Sequence, residues 1–208
     1  MNLIEQLNWR YAAKRMNGTK VPQEKVDRIL EAIRLAPTSF GLQAFKVIDI
    51  TDSALRERIF NEACQQPQIK EGSNVLVFAA NRKVTAEIVD DYMNLIAATR
   101  EIPVDSLNRF RAAFDSLVTD SEERNLAWTT CQVYIPLGVG LVAAAEEKVD
   151  ATPIEGFDSA ALDKILGLEE QNLASITILA LGYRDESVDR LASARKVRKS
   201  ARDLFVKL

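Results

Sequence analysis

Two pairs of cations stand near opposite ends of this 208-residue chain: Arg10 with Lys14, and Lys196 with Arg198. In the segment Arg10-Tyr11-Ala12-Ala13-Lys14, an extended or turning backbone lets both charges converge on one anion. Arginine offers a planar fork of donors suited to phosphate, and lysine offers a point charge. Lys196 and Arg198 flank Val197, so in an extended backbone both point to the same side and can grip one phosphate together. Spacing alone reads equally well as solvated basic surface, since Arg195 and Lys199 make the whole tail basic.

Three further segments carry polar atoms that could meet a ligand. In Pro153-Ile154-Glu155-Gly156 a glycine follows an acid in a turn, which lets backbone N–H groups come close to a bound molecule. Glu155 could serve as a base, although a carboxylate without a partner is more often a cap or a surface residue. The loop Pro37-Thr38-Ser39-Phe40-Gly41-Leu42-Gln43 offers hydroxyls, a glycine and an amide. Gln65-Gln66-Pro67-Gln68 offers amides that match the donors and acceptors of a heterocycle. Each is ambiguous by itself.

The chain contains no histidine. That removes the commonest general base, the usual zinc ligand and every nucleophile scheme that relies on imidazole, and no metal site is expected. Chemistry must rest on carboxylates, lysine, tyrosine, cysteine or a cofactor. Cys64 and Cys131 are far apart and read as reduced thiols of a cytoplasmic protein. With 47% hydrophobic and 27% charged residues, the composition is that of an ordinary globular protein. A net charge of -3 argues against a general nucleic-acid partner. The N-terminal residues lack the order of charge, apolar run and cleavage site of a signal peptide. Leu126–Ala145 has no charged residue and is about long enough to cross a bilayer. It also carries Thr129, Thr130, Gln132, Pro136, Gly138 and Gly140, and reads as the buried central helix of a fold or dimer rather than a membrane span.

The elements that must position these residues follow from periodicity. A short helix over 2–9 leads into the basic segment, and Pro22 starts a helix bearing Val26, Ile29, Leu30 and Ile33. Pro37 ends it and opens the loop. Strands are expected at 45–50, 75–80 and 175–182, the second apolar enough for burial on both faces. Residues 85–148 read as helix with breaks near Pro103 and Thr119-Asp120. A turn at 153–158 leads into a short helix ending at Gly167. No repeat or linker interrupts the chain, so one domain over 1–208 is expected. The class is α+β: a small, mostly antiparallel sheet surrounded by helices, with a long central buried helix.

The order of these segments carries more than any one of them. RYAAK at 10–14, APTSFGLQAFKV at 36–47, QQPQIKEGSNVLVF at 65–78, Gln132-Val133-Tyr134 in the uncharged helix, PIEGFD at 153–158 and KVR at 196–198 resemble the nitroreductase family along nearly the whole chain. PIEGFD is the most specific string. The resemblance implies a nitroreductase-like fold and a homodimer with FMN at the subunit interface. It implies that Arg10, with Tyr11 and Ala12 beside it, joins Lys196 and Arg198 at the FMN phosphate and ribityl chain. Lys14 would lie near the pyrimidine end of the ring, where a cation favours the reduced anion. Gln65 and Gln68 would meet the ring's polar edge. From the other subunit, Pro37, Thr38, Ser39 and Gly41 would line the cofactor, with Pro153, Ile154, Glu155 and Gly156 backing the ring. Ala12 stands where the family commonly has a serine, Ala44 where a proline follows the glutamine, and Arg195 where a proline precedes the Lys-x-Arg.

On this resemblance the protein is an enzyme taking two electrons from NADH or NADPH and passing them to nitroaromatics, quinones or similar acceptors in a ping-pong sequence. No side chain is required as a catalyst, with Lys14 and Glu155 as electrostatic or positioning groups. The rival readings are a flavin reductase, a dehalogenase or an enzyme of reduced flavin and oxygen on the same fold, and a flavin-binding protein without turnover. Phe110 and Phe114 are candidates to cover the flavin face on the substrate side, with a core pair at i and i+4 as the plainer reading.

Overall fold

The computed structural model describes residues 2–208. Its helices are α1 (Leu3–Trp9), α2 (Gln23–Arg34), α3 (Ser53–Glu62), α4 (Gln68–Glu71), α5 (Ala86–Arg100), α6 (Asn108–Arg111), α7 (Asp115–Thr119), α8 (Glu122–Glu146), α9 (Ser159–Leu166) and α10 (Ala201–Leu204). Four strands, β1 (Phe45–Ile50), β2 (Asn74–Asn81), β3 (Asp150–Ile154) and β4 (Leu173–Gly182), form one antiparallel sheet in the order β1-β2-β4-β3.

The central strands explain the layering. Leu76, Phe78, Leu179 and Leu181 point into a core closed by Val26, Ile29 and Ile33 of α2 and by Val133 and Leu137 of α8. Their neighbours Val75, Val77, Ile178 and Ala180 point the other way, against Ile59 of α3, Ile69 of α4 and Leu162 of α9. Alternation of side chains along a strand produces two cores from one apolar run. Capping side chains mark the helix starts: Asp52, Thr85, Ser121 and Asp158 each accept a hydrogen bond from the backbone N–H three residues on.

The structure corrects one element. Pro153 and Ile154, read as part of a turn, end the strand β3, and only Glu155 and Gly156 lie beyond it. β3 is an edge strand, where a proline's missing N–H costs no ladder hydrogen bond. A five-residue strand that begins with Asp150 and contains a proline has no apolar run to announce it.

Helix α8 is the core helix expected, with its burial confined to one face. Asn125, Thr129, Gln132, Val133, Pro136, Leu137, Gly140 and Ala144 are buried at helical spacing. Tyr134, Ile135 and Val142 on the other side are 36–41% exposed. By length and composition the helix could cross a bilayer. Its packed face carries polar groups used internally, since Thr129 donates to the Asn81 carbonyl and the Asn125 Oδ1 accepts from Val84 N.

The basic segment after α1 is laid alongside the end of β4. Met16 bridges to Arg184, Asn17 N donates to Tyr183 O, and Asp185 N donates to Arg15 O. Gly72 lets the loop after α4 pass close behind this pairing. A Cβ there would lie 2.7 Å from the Gln68 carbonyl oxygen and 3.0 Å from that of Leu181. Backbone atoms cannot swing aside as a side-chain tip can, so Gly72→Ala is expected to destabilise the fold by about 1–3 kcal/mol. A lower urea midpoint at unchanged slope is the measurement.

Candidate functional site

Asp189 is the centre from which the site is assembled. Its carboxylate is buried and accepts from Tyr11 Oη at 3.0 Å, Lys14 N at 2.7 Å and Leu191 N at 2.8 Å. One side chain thus pins the Arg10–Lys14 segment to the irregular tail that follows β4. Burial opposes the charge, but the N–H donors and the Tyr11 hydroxyl outweigh it and hold the carboxyl below the usual carboxylate range. Tyr11 is pushed the opposite way, first by burial and then by the Asp189 hydrogen bond.

A second ion pair stiffens the same corner. Asp150, at the start of β3, is 3% exposed and takes Arg184 in a forked contact whose shortest leg is 2.6 Å. The Arg184 guanidinium also lies 4.5 Å from the ring centres of both Trp9 and Tyr11. Asp150 and Trp9 escaped the sequence reading because neither belongs to a charged cluster or motif, and Arg184 and Asp189 because they sit among the many charges of the tail.

Against this frame Arg10, Tyr11, Ala12, Lys14, Pro153, Lys196 and Arg198 line a single cavity of about 510 Å³. Val197 between the last two is 85% exposed. Three cations face one another here. Burial and then Arg198 push the Arg10 pKa down, while Asp150 opposes them. Burial, Arg10 and Arg198 together push Lys196 down. The buried Nε of Arg10 has no hydrogen-bond partner, and its Nη2 makes a 3.5 Å contact with Ala151 O. An unspent guanidinium donor among uncompensated charges fits a phosphate. Lys196 is differently engaged: its ammonium donates to the carbonyls of Leu7 and Arg10. It therefore ties the tail to the end of α1, where a cation meets the negative end of the helix.

The remaining predicted residues fall outside this cavity. Gln68 is 1% exposed and works from behind: its Nε2 donates to Ala13 O, which also accepts from Thr152 Oγ1. Its Oε1 is buried without a partner. Gln65 is exposed and bonds Asn61 O within its own segment. Ile154 is buried, and Glu155 and Gly156 are exposed just beyond Pro153. The Tyr134 phenol, already raised by burial, is raised further by its hydrogen bond to Glu155, which joins this turn to the open face of α8.

The loop carrying Pro37, Thr38, Ser39 and Gly41 belongs to the α8 side. Ser39 N donates to Gln132 Oε1 at 2.7 Å, and Thr38 Oγ1 accepts from Gln43 N. Gly41 has φ +75°, and a Cβ there would meet the Tyr92 hydroxyl at 2.5 Å, so both backbone and space call for glycine. Phe114 is fully buried, with ring centres 4.9 Å from Phe40 and 5.4 Å from Phe110. It is a core aromatic in this arrangement, whereas Phe110 is half-buried and Phe40 is 45% exposed.

Comparison with known proteins bears on these pieces together. The family model for nitroreductases matches residues 7–183. The Major NAD(P)H-flavin oxidoreductase of Aliivibrio fischeri is 31% identical over 211 residues, covering 98% of this chain and 97% of that one. Among solved structures, a nitroreductase-like protein of Streptococcus mutans superposes with a TM-score of 0.80 at 20% identity, covering 99% and 97% of the two chains. A nitroreductase-fold protein of Exiguobacterium sibiricum, solved with FMN bound, superposes at 0.83 with 19% identity, covering 100% and 98%. At such identities the solved structures speak for the fold alone.

Asp189 yields a stability test with a defined sign. Its folded-state pKa lies below the unfolded value of about 3.9, so its contribution is full above that value. The contribution is lost as pH falls through the depressed value. Asp189→Asn turns one acceptor toward backbone donors and should cost about 2–3 kcal/mol at neutral pH. In urea titrations between pH 7 and pH 3, the loss relative to wild type should shrink toward the acid end.

Proposed function

The chain belongs to the nitroreductase family and is an NAD(P)H-dependent oxidoreductase that uses FMN; we propose that it delivers two electrons from NADH or NADPH to nitroaromatics, quinones or similar electron-poor acceptors. Donor and acceptor would occupy one site in turn, the ping-pong order. The observation that carries the reading is the cluster of Arg10, Lys196 and Arg198, with its unpartnered Arg10 Nε, on a corner braced by Asp150 and Asp189.

FMN, when bound, supplies the two-electron chemistry that a chain without histidine cannot assemble from its own acids and bases. The residues supply binding and field. Arg10 and Arg198 are the donors for the phosphate, and Lys196 sets the tail that presents Arg198. Lys14, on the cavity wall, places a positive charge where a reduced ring would carry its negative one. The backbone N–H groups of Glu155 and Gly156 lie in an exposed turn, available to a ring edge, and Tyr134 holds the Glu155 carboxylate to one side.

We also propose that the functional unit is a homodimer of single-domain subunits in the cytoplasm. Within one chain, Pro37, Thr38, Ser39 and Gly41 stand apart from the Arg10 cavity. Apolar residues remain open on α8 (Ile135, Val142) and on α1 (Leu3, Ile4, Leu7). A second copy seated on these faces would cover them and could bring its loop to the cofactor. An apolar face of this kind marks an association surface rather than a solvated one. Ile135→Glu is expected to shift the protein to monomer in sedimentation velocity and to release FMN with it.

A second reading is favoured by the Aliivibrio fischeri relative, named for flavin oxidoreduction: free flavin as the electron acceptor. Oxidation of NAD(P)H with a nitro compound, compared with free FMN, separates the two.

Purified protein should be yellow and its absorbance should bleach under anaerobic addition of NADH or NADPH. A preparation that cannot take up FMN would overturn the cofactor assignment, and bound FMN that neither nucleotide reduces would overturn the activity. Arg10→Ala should weaken FMN binding at least about tenfold, the scale of one charge-assisted hydrogen bond. Its far-UV circular dichroism should not change.

A further inference from the structure

Beside the cofactor cavity lies a smaller one, of about 290 Å³, lined by Lys14, Arg15, Gln66, Pro67, Val188 and Arg190. Lys14 is shared between the two, so the second cavity begins where the first ends. Three of its six lining residues are cations and none is acidic. Arg15 is forked onto Glu71 at 2.8 and 3.0 Å, which compensates its charge. Of the other carboxylates close by, Asp189 is buried and occupied by the donors described above, and Asp185 accepts from Ser187 and faces Arg15. The Lys14 ammonium and the Arg190 guanidinium have no carboxylate partner among the described residues. Gln66, Pro67 and Val188 complete a wall with an amide and two apolar surfaces.

The chemistry of the reaction limits what such a cavity is for. The phosphate of FMN is met by Arg10 and Arg198 on the far side of Lys14. With a nitroaromatic or a quinone as acceptor, the other phosphorylated molecule in the reaction is the nicotinamide donor. NADH and NADPH share the group that is oxidised and differ only in one phosphate on the adenosine ribose, remote from the nicotinamide. Side chains at the flavin face therefore cannot distinguish them, whereas a cationic cavity separate from the flavin phosphate can. Resting on the reading of the protein as an NAD(P)H oxidoreductase, we infer that this cavity receives the 2′-phosphate of NADPH, with Arg190 as its ligand, and that NADPH is the preferred donor.

Arg190 is the residue to change, because it is exposed and bonded to nothing in the fold. With FMN-loaded protein, kcat/KM for NADPH should exceed that for NADH at least about tenfold, the scale of one charge-assisted contact. In Arg190→Ala this ratio should fall toward one, and Arg190→Lys should restore part of it. Direct binding gives a second readout. By calorimetry, 2′,5′-ADP should bind the wild-type holoprotein more tightly than 5′-ADP does, and the difference should vanish in Arg190→Ala. Equal kcat/KM values in wild type, or a ratio that Arg190→Ala leaves unchanged, would overturn the inference. Bleaching of the flavin by NADH keeps the functional reading in place whatever the ratio. Failure of both nucleotides to bleach bound FMN defeats the functional reading and this inference with it.

Discussion

The cavity beside α1 brings like charges together. Burial makes Arg10 and Lys196 harder to keep charged, Arg198 acts on both in the same direction, and Arg10 acts on Lys196. Such a cluster holds together only if something else fixes the backbone that carries it. Asp189 does so by binding both the Tyr11–Lys14 segment and the start of the tail, and Asp150 does so through Arg184. Neither carboxylate forms an ion pair with the cluster, although the Asp150 charge partly offsets the burial of Arg10. Both stand behind it, which keeps the chain folded and leaves the positive field facing outward. The sheet then serves as the rigid mount: Asp150 opens β3, and Arg184 and Asp189 follow β4.

Much of this was legible in the sequence where physics leaves a periodic mark. The doubly buried run of β2, the strands β1 and β4 and the Gly167 terminus of α9 all follow from local pattern. Gly167 takes φ +62°, as a left-handed helix stop requires. β3 was illegible because an edge strand of five residues with a proline lacks both length and alternation. The cations were visible as residue types, but spacing could not tell them from solvated surface. Their convergence depends on Asp189 and Asp150, whose partners are backbone groups or side chains 178 and 34 residues away. No local rule marks such residues. Gln68 shows the converse: a conspicuous polar residue that proves to be an internal brace for the Ala13 carbonyl.

Helix α8 combines two demands. One face packs on the sheet through Val133 and Leu137 and also satisfies polar backbone at Asn81 and Val84 through Thr129 and Asn125. The other face keeps Tyr134, Ile135 and Val142 open, and Gln132 fastens the 37–41 loop to its flank. The long uncharged stretch thus follows from one face packed on the sheet and a second lined by Tyr134, Ile135 and Val142.

The tie between Lys196 and the end of α1 joins residues 186 positions apart. During synthesis Arg10 leaves the ribosome early, while its companions emerge only after all four strands have been made. The sheet can therefore assemble before the phosphate corner exists, and the cations need not sit together in a half-made chain. The same arrangement exposes a weakness. The segment after β4 has little regular structure and makes few contacts with the core, so a protease that cuts there would leave both hydrophobic layers intact. Such a cut would part Lys196 and Arg198 from Arg10 while the sheet that mounts Arg10 stayed in place.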